Sequence, residues 1–218
     1  MPIQIGTRAE PAHDDDARRW VGTEEPVAAE ERTEAPPRVV MDADEISRAI
    51  IRMAHQVLEN DHDVPRLIVV GLPTRGVPLA RRLAAAMEDI EGHTVPIGEL
   101  DVTFYRDDLR RQPTRSIGPT RMPGPIDDAV VILVDDVLYS GRTVSAALEA
   151  LKDIGRPRAV RLAVLVDRGH RELPIRADVV GKELATASDE RVGVQLEETD
   201  GVTRVTISRL RRAPDPLP

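Results

Sequence analysis

The chain has 218 residues, enough for one well-cored domain and a tail. It contains no cysteine, which excludes disulfides and thiolate metal sites. No apolar run approaches the ~20 residues of a membrane helix, and the N-terminus lacks the apolar core of a signal peptide, so we expect a soluble cytoplasmic protein.

The negative charge is concentrated at the N-terminus. The net charge is −8, and residues 1–37 carry −5 of it in runs such as D-D-D and E-E-P. Such a composition cannot bury enough apolar surface to offset the entropy lost on ordering. We therefore predict a disordered acidic tail over 1–37 and a single domain over 38–218.

Apolar patterns predict alternating helices and strands beyond the tail. Asp42 or Asp44 can cap a first helix, because apolar residues recur at helical spacing from Ile46 to Val57. The continuous apolar run at 66–72 indicates a strand buried on both faces, and the stretch 158–168 indicates the next buried strand. Helices are also predicted at 77–87 and 143–154, and strands at 93–105, 130–134, 177–181, 192–196 and 202–207. This alternation predicts an open α/β sheet with a mainly parallel centre.

Residues 106–125 form a predicted long loop. They include four prolines, two glycines and five arginines, without an apolar period. A long insert of this kind in a domain is often functional.

The stretch 130–143, V-V-I-L-V-D-D-V-L-Y-S-G-R-T, combines two features that favour one ligand. Asp135 and Asp136 end an apolar run, where an open α/β sheet gathers ligands. Ser140, Gly141 and Thr143 then open a helix, whose unpaired N–H groups and dipole favour a phosphate. A ribose 5-phosphate, with its hydroxyls or a metal ion on the carboxylates, fits this order. The alternative is that Asp136 merely ends the strand and Ser140 merely caps the helix.

The same stretch resembles the phosphoribosyl-pyrophosphate (PRPP) signature of type I phosphoribosyltransferases. The segments G-L-P-T-R-G (71–76), G-E-L-D-V-T-F-Y-R-D-D-L (98–109) and 162–178, with D-R-G-H-R-E-L-P, resemble the PyrR family. Its members are bacterial pyrimidine-operon regulators that also act as uracil phosphoribosyltransferases. The resemblance covers about residues 40–210. It implies the type I phosphoribosyltransferase fold, with a small hood and a flexible lid loop.

The resemblance also implies a reaction and its residues. Uracil and PRPP would give UMP and pyrophosphate with Mg²⁺, which Asp135 and Asp136 would contact directly or through water. The catalytic residues would be these two acids, Arg75, which offsets the leaving-group charge, and Arg106 of the lid. The implied substrate-binding residues are Thr74, Arg75, Gly76, Asp135, Asp136, Val137, Leu138, Tyr139, Ser140, Gly141, Arg142, Thr143, Arg168 and Val192.

A regulatory role is the second implication. The family senses UMP or UTP and binds pyrimidine-operon messenger RNA through a basic face of its dimer, so a homodimer or higher homo-oligomer is implied. Arg48, Arg52 and His55 share one face of the first helix. Charged residues on an outward helix face are also often merely solvated, so the alternative is that this cluster binds no ligand. The further RNA-binding candidates are Arg176, Lys182 and Arg191.

One departure weighs against RNA binding more than against catalysis. The family often has K-N-x-P-T-S-K-S-E where this chain has K-E-L-A-T-A-S-D-E (182–190). Ser188 stands where a lysine is common, while Glu183 and Asp189 add negative charge. Two alternatives also stay open. A phosphoribosyltransferase for a purine or orotate is one, because the signature at 130–143 reads sugar and phosphate rather than base, and a regulator with vestigial catalysis is the other.

Overall fold

The structure, a computed structural model, describes residues 36–61, 66–105 and 120–209, apart from the Phe104 side chain. The predicted tail over 1–37 lies outside these ranges except for its last two residues, as does most of the loop 106–125. The described elements are β1 (Arg38–Met41), α1 (Ala43–Asn60), β2 (Leu67–Gly71), α2 (Gly76–Glu91), β3 (Ile97–Glu99), β4 (Val130–Leu138), α3 (Arg142–Ile154), β5 (Ala159–Asp167), β6 (Val179–Glu183), β7 (Glu190–Gln195), α4 (Glu197–Asp200) and β8 (Arg204–Arg209).

Five strands form a parallel sheet in the order β3-β2-β4-β5-β6. β2 is buried throughout, and so is β4 over Val130–Val134, as expected for aliphatic strands covered on both faces. β4 lies at the centre, with β2 on one side and β5 on the other. Its carboxyl end therefore faces the region where such sheets bind ligands.

Helices cover both faces of this sheet. Alternate residues of β4 point to opposite sides, so that Ile132 and Val134 pack with α1 and α2, whereas Val131 and Leu133 pack with α3. α1 begins at a capping box, in which Asp42 accepts a hydrogen bond from the backbone N of residue 45 (2.8 Å). Of the two predicted caps, Asp42 is the one used.

A second, antiparallel sheet has the order β1-β8-β7, and we call it the hood. α4 connects β7 to β8, and Leu196 at its start is fully buried. Val194 and Val205 of the hood belong to the same apolar core as α1 and α2. The hood therefore packs on the side of the parallel sheet that those helices cover.

Several predicted strand bounds need correction. Only Ile97–Glu99 of the range 93–105 is a strand, because Asp101 Oδ1 accepts hydrogen bonds from the backbone N (2.8 Å) and hydroxyl (2.6 Å) of Thr103. These bonds turn the chain into a 3-10 turn at Thr103–Tyr105. The strands predicted at 177–181 and 202–207 each begin and end two residues later, as β6 and β8. Within the described residues, no helix is long and apolar enough to cross a membrane.

Candidate active site

The two adjacent carboxylates lie within β4. The strand continues beyond Asp136 to Leu138, whose side chain is buried in the core, so the prediction that it ends at the acids is wrong. Asp135 is itself buried, and its Oδ1 accepts a hydrogen bond from the backbone N of Asp136 (2.9 Å). Asp136 Oδ1 accepts one from the backbone N of Val137 (2.9 Å). Local backbone bonds thus orient both acids near the strand's carboxyl end.

A tight loop joins β4 to α3. Gly141 caps the helix with a φ of 91°, a left-handed conformation that favours glycine. Arg142 and Thr143 open a helix of 13 residues, whose first N–H groups and positive dipole end face the loop. We call residues 139–143 the phosphate loop, because it offers the donors that a phosphate requires.

Ser140 is not the helix cap, since Gly141 occupies that position. The Ser140 hydroxyl accepts a long hydrogen bond, 3.4 Å, from the backbone N of Arg142. The guanidinium of Arg142 donates to Glu172 at 2.7 Å, so this side chain is engaged with a carboxylate of the segment after β5. The backbone N groups of Glu172 and Leu173 donate to the Ser140 carbonyl at 3.0 and 3.1 Å.

Arg171 holds the same loop from within the segment after β5. Its guanidinium donates to the carbonyl oxygens of Tyr139 (2.8 Å), Gly169 (3.0 Å) and Ile175 (3.0 Å). It also pairs with Asp167 at the end of β5. One planar side chain therefore joins the phosphate loop to the end of the neighbouring strand.

The turn before α2 lies against the backbone of β4. The peptide bond between Pro73 and Thr74 is cis. A Cβ on Gly76 would lie 2.4 Å from the Val134 carbonyl oxygen and 3.3 Å from the Cα of Asp135. The absence of a side chain therefore lets the predicted pyrophosphate turn, residues 74–76, sit beside the paired carboxylates.

Arg75 of this turn is paired with Asp200 of α4. Its Nε and Nη2 donate to the two carboxylate oxygens at 3.0 and 2.6 Å. The bond from Arg75 holds the pKa of Asp200 well below its usual range. The bond to Asp200 also raises the pKa of Arg75, and Asp136 adds a smaller electrostatic contribution. A fixed positive charge thus lies within electrostatic reach of the β4 acids.

Comparison with known proteins agrees with this geometry. A model of the family described as "Phosphoribosyl transferase domain" matches residues 40–199. The bifunctional protein PyrR of Leifsonia xyli is 58% identical over 175 residues, covering 78% of this chain and 96% of that protein. That of Streptomyces coelicolor is 54% identical over 182 residues, covering 83% and 94%. The chain belongs to the PyrR family.

Membership of the PyrR family confirms the prediction that this protein is a phosphoribosyltransferase. The family combines uracil phosphoribosyltransferase activity with regulation of pyrimidine genes. Solved structures confirm the predicted fold. The hypoxanthine phosphoribosyltransferase of Trypanosoma cruzi has a TM-score of 0.62 at 17% identity, covering 80% of this chain and 97% of that chain. That of Staphylococcus aureus has a TM-score of 0.58 at 20% identity, covering 80% and 92%. At these identities the likeness concerns the fold alone.

Arg168 links the phosphate loop of this PyrR-family chain to the hood. Its guanidinium carbon lies 4.4 Å from the centroid of the Tyr139 ring. It donates to the Glu190 carbonyl (2.6 Å) at the start of β7 and to the Thr186 hydroxyl (3.2 Å). Burial lowers the pKa of Arg168, against the opposing effects of Tyr139 and Glu190. The buried cation therefore fixes the hood's edge strand relative to the loop.

Val192 is a core residue of the hood. It is buried and pairs with Ile207 of β8. It follows Glu190 by two positions on β7, which is the edge strand of the small sheet. A contact between Val192 and a base would therefore have to use the strand's backbone.

The predicted RNA-binding residues differ in their surroundings. Arg52 donates to the Gly181 carbonyl, and the Lys182 ammonium donates to the Val40 carbonyl at 2.8 Å. These two side chains hold α1, β6 and β1 together, a structural role that sequence analysis did not predict. The exposed members are Arg48, Arg52, His55, Arg176 and Arg191.

Some site residues lie outside the described ranges or were missed. Arg106, predicted in the lid, falls outside the described residues. Asp200 was missed because its partner Arg75 is 125 positions away, so no local pattern joins them. Arg171 and Glu172 stand in the D-R-G-H-R-E-L-P run, where a dense charge cluster after a buried strand was the available signal.

Proposed function

We propose that this edge of the sheet transfers the phosphoribosyl group of PRPP to uracil, giving UMP and pyrophosphate. The packing of Gly76 against the backbone of Val134 and Asp135 carries the proposal. This contact joins the pyrophosphate turn to the strand that bears the paired acids. The phosphate loop follows on the same strand, so groups suited to both ends of PRPP lie together.

Charge placement, rather than a protein nucleophile, would accelerate this reaction. As the bond between the anomeric carbon and pyrophosphate stretches, the ribose becomes positive and the leaving group becomes more negative. Arg75 would stabilise the leaving group, while Asp135 and Asp136 would accept hydrogen bonds from the ribose hydroxyls. The phosphate loop would hold the 5-phosphate and so orient the sugar.

Magnesium would be held mainly by substrate and water. Mg²⁺ prefers octahedral oxygen coordination and usually keeps several waters. Asp135 and Asp136 supply carboxylate oxygens, and in the described part of the chain no group of three or more His, Cys, Asp or Glu could hold a metal. This donor set fits an ion shared with PRPP, touched by the acids directly or through water. When bound, the ion would neutralise charge on the pyrophosphate.

Uracil would lie beside β7, with the backbone near Val192 reading its polar edge. Arg168 supports this placement, because it fixes the start of β7 relative to the phosphate loop. The lid with Arg106 would close over the site and exclude water that could otherwise hydrolyse PRPP. The lid and a cytoplasmic location remain predictions of the sequence.

Regulation would use RNA binding by a homodimer or higher homo-oligomer that responds to UMP or UTP. The exposed Arg48 and His55 on α1 support a basic contact surface. The acidic substitution Asp189, which weighs against RNA binding, is paired with Arg209 at 3.2 Å. Its charge is therefore partly balanced within the hood.

Substitution of the paired acids tests the catalytic proposal. Asp135→Asn and Asp136→Asn should each lower kcat/KM for PRPP by about 100-fold or more, because the ribose loses its charged acceptors. UMP formation from uracil, PRPP and Mg²⁺ is the measurement, with thermal unfolding as a check on the fold. Asp89→Asn, an exposed change on α2, is the matched control. Retained activity in both variants would refute the assignment.

The same assay separates the alternative functions. Each base is supplied in turn, and pyrophosphate release is followed. Turnover with guanine, hypoxanthine or orotate, and none with uracil, would overturn the uracil assignment. Binding of UMP without turnover of any base would identify a regulator with vestigial catalysis.

A further inference from the structure

Two arginine–carboxylate pairs join the region where α2 begins to α4 of the hood. Arg75 binds Asp200 through two hydrogen bonds of 3.0 and 2.6 Å. Arg82 binds Glu198 through two of 2.8 and 2.7 Å. The pairs have the same bidentate geometry, but only Arg75 belongs to the pyrophosphate turn.

The carboxylate of Asp200 is held in place by its own helix. Its Oδ2 accepts hydrogen bonds from the backbone N of Leu196 (2.9 Å) and from the hydroxyl of Thr199 (2.7 Å). The side chain of Asp200 is 16% exposed, compared with 42% for Glu198. Asp200 is therefore a fixed acceptor, whereas Glu198 lies at the surface.

The pairing also determines where the rest of the Arg75 guanidinium points. The bonds to Asp200 use Nε and Nη2, and the third nitrogen, Nη1, carries two further N–H donors. Because the guanidinium is planar, fixing one edge sets the direction of the other. The side chain of Arg75 is 35% exposed, so this other edge can reach a ligand. Arg75 directly precedes Gly76, which packs against the backbone of Val134 and Asp135, so this turn lies beside the strand that bears the paired acids.

We propose that Asp200 is a positioning residue for phosphoribosyl transfer, which holds Arg75 side-on so that its remaining edge meets the pyrophosphate group of PRPP. This inference rests on the proposed role of Arg75. Asp200 would act through Arg75 without touching the substrate. Because α4 connects the two hood strands β7 and β8, the group that stabilises the leaving pyrophosphate would be oriented by a helix joined directly to the strand that is proposed to read the base.

Removing the charge of Asp200 tests this role. Asp200→Asn keeps the side chain's shape but turns an amide NH₂ toward the guanidinium, so kcat/KM for PRPP should fall about 10- to 100-fold. Inhibition by pyrophosphate should weaken in parallel, while the KM for uracil should change less. Asp200→Glu, which restores the charge one methylene away, should recover part of the loss.

Glu198→Gln is the matched control, because it breaks the neighbouring pair between the same two elements. Exposed pairs contribute little, so its parameters should stay within about twofold of the wild type. Equal losses of kcat/KM for PRPP in Asp200→Asn and Glu198→Gln would show that both pairs only dock the hood, and would overturn the proposal. Wild-type behaviour of Asp200→Asn would overturn it too. If Asp200→Asn does not fold, unaltered PRPP kinetics in Asp200→Glu would overturn the proposal.

Failure of the proposed function would look different, since the wild-type protein would then form no UMP. The positioning role is decided in that case by calorimetric titration of PRPP and of pyrophosphate onto wild-type and Asp200→Asn protein. Weaker binding to the variant would support it, and unchanged affinity would overturn it.

Discussion

At Gly76 the backbone of α2 comes so close to β4 that the Val134 carbonyl oxygen lies 2.4 Å from where a Cβ would be. Gly71 at the end of β2 is similarly restricted, because a Cβ there would lie 2.5 Å from the Cα of Val77. Two glycines thus let the turn between β2 and α2 fold tightly against the central strand. The geometry of the site therefore requires that neither Gly71 nor Gly76 carries a Cβ.

Replacing Gly76 by alanine should therefore disturb the pyrophosphate turn. The added methyl group would force α2 away from β4, at a cost of about 1–3 kcal/mol in unfolding free energy, and the KM for PRPP should rise. Urea denaturation and steady-state kinetics measure the two effects. Gly124→Ala is the control, because a Cβ there meets nothing within 4 Å. A Gly76→Ala enzyme with a wild-type KM would show that the close contact is unnecessary.

Asp200 should make the stability of the protein depend on pH. Its pKa is depressed in the folded state by Arg75, so its stabilising effect is present above the unfolded pKa of about 3.9 and is lost as the pH falls below it. The difference in unfolding free energy between wild type and Asp200→Asn should be constant above about pH 5 and shrink below about pH 4. Urea titrations across this range test the sign. A difference that grows toward acid would contradict it.

At the scale of elements, the segment from Asp167 to Ile175 supports the phosphate loop. Its backbone binds the Ser140 carbonyl, and Arg171 binds the carbonyl of Tyr139. The D-R-G-H-R-E-L-P run thus has a physical role as a brace, in addition to its value as a family marker. Parallel strands place the two loops side by side, since β4 and β5 are neighbours.

Arg171→Lys should loosen the phosphate loop. An ammonium group cannot reach the spread carbonyl oxygens that the planar guanidinium contacts, so the KM for PRPP should rise about tenfold with a smaller change for uracil. Arg156→Lys, an exposed arginine before β5, serves as control. Steady-state kinetics with each substrate varied in turn would test this. An equal rise for both substrates would indicate a general loss of folding.

At the scale of the molecule, three arginines among the described residues join the parallel-sheet part to the hood. Arg75 and Arg82 reach α4, while Arg168 reaches the start of β7. The two sheets also share one apolar core. The proposed base-reading strand is therefore held, by both packing and charge, to the residues that are proposed to bind the sugar and the phosphates.

RNA binding is a prediction about the whole surface. Arg48→Ala should weaken the binding of pyrimidine-operon RNA and reduce the slope of log affinity against log salt by about one, because one phosphate contact is lost. Lys152→Ala, an exposed cation on α3, is the control. Titrations of the RNA onto each protein in the presence of UMP, at several salt concentrations, measure the affinity and its slope. An unchanged slope would mean that Arg48 is merely solvated.

The sequence by itself determined the alternation of elements, the family and the stretch that is proposed to bind phosphate, because each depends on residues that are close together in the chain. Buried strands read as apolar runs, and Asp135, Asp136 and Gly141 lie within seven consecutive positions. Short elements such as β1 and α4 escaped prediction, because four residues are too few to show a period. The family resemblance, in turn, supplied Arg75 and Arg168 as candidates without their partners.

Only the tertiary structure decided those partners. Asp200 meets Arg75, and Glu190 meets Arg168, because the hood folds over the same side of the sheet as α1 and α2. The tertiary structure also showed that Val192 is a core residue and that the Lys182 ammonium donates a hydrogen bond to the Val40 carbonyl of β1. Contacts between distant segments depend on how whole faces pack, and no local run of residues encodes that packing.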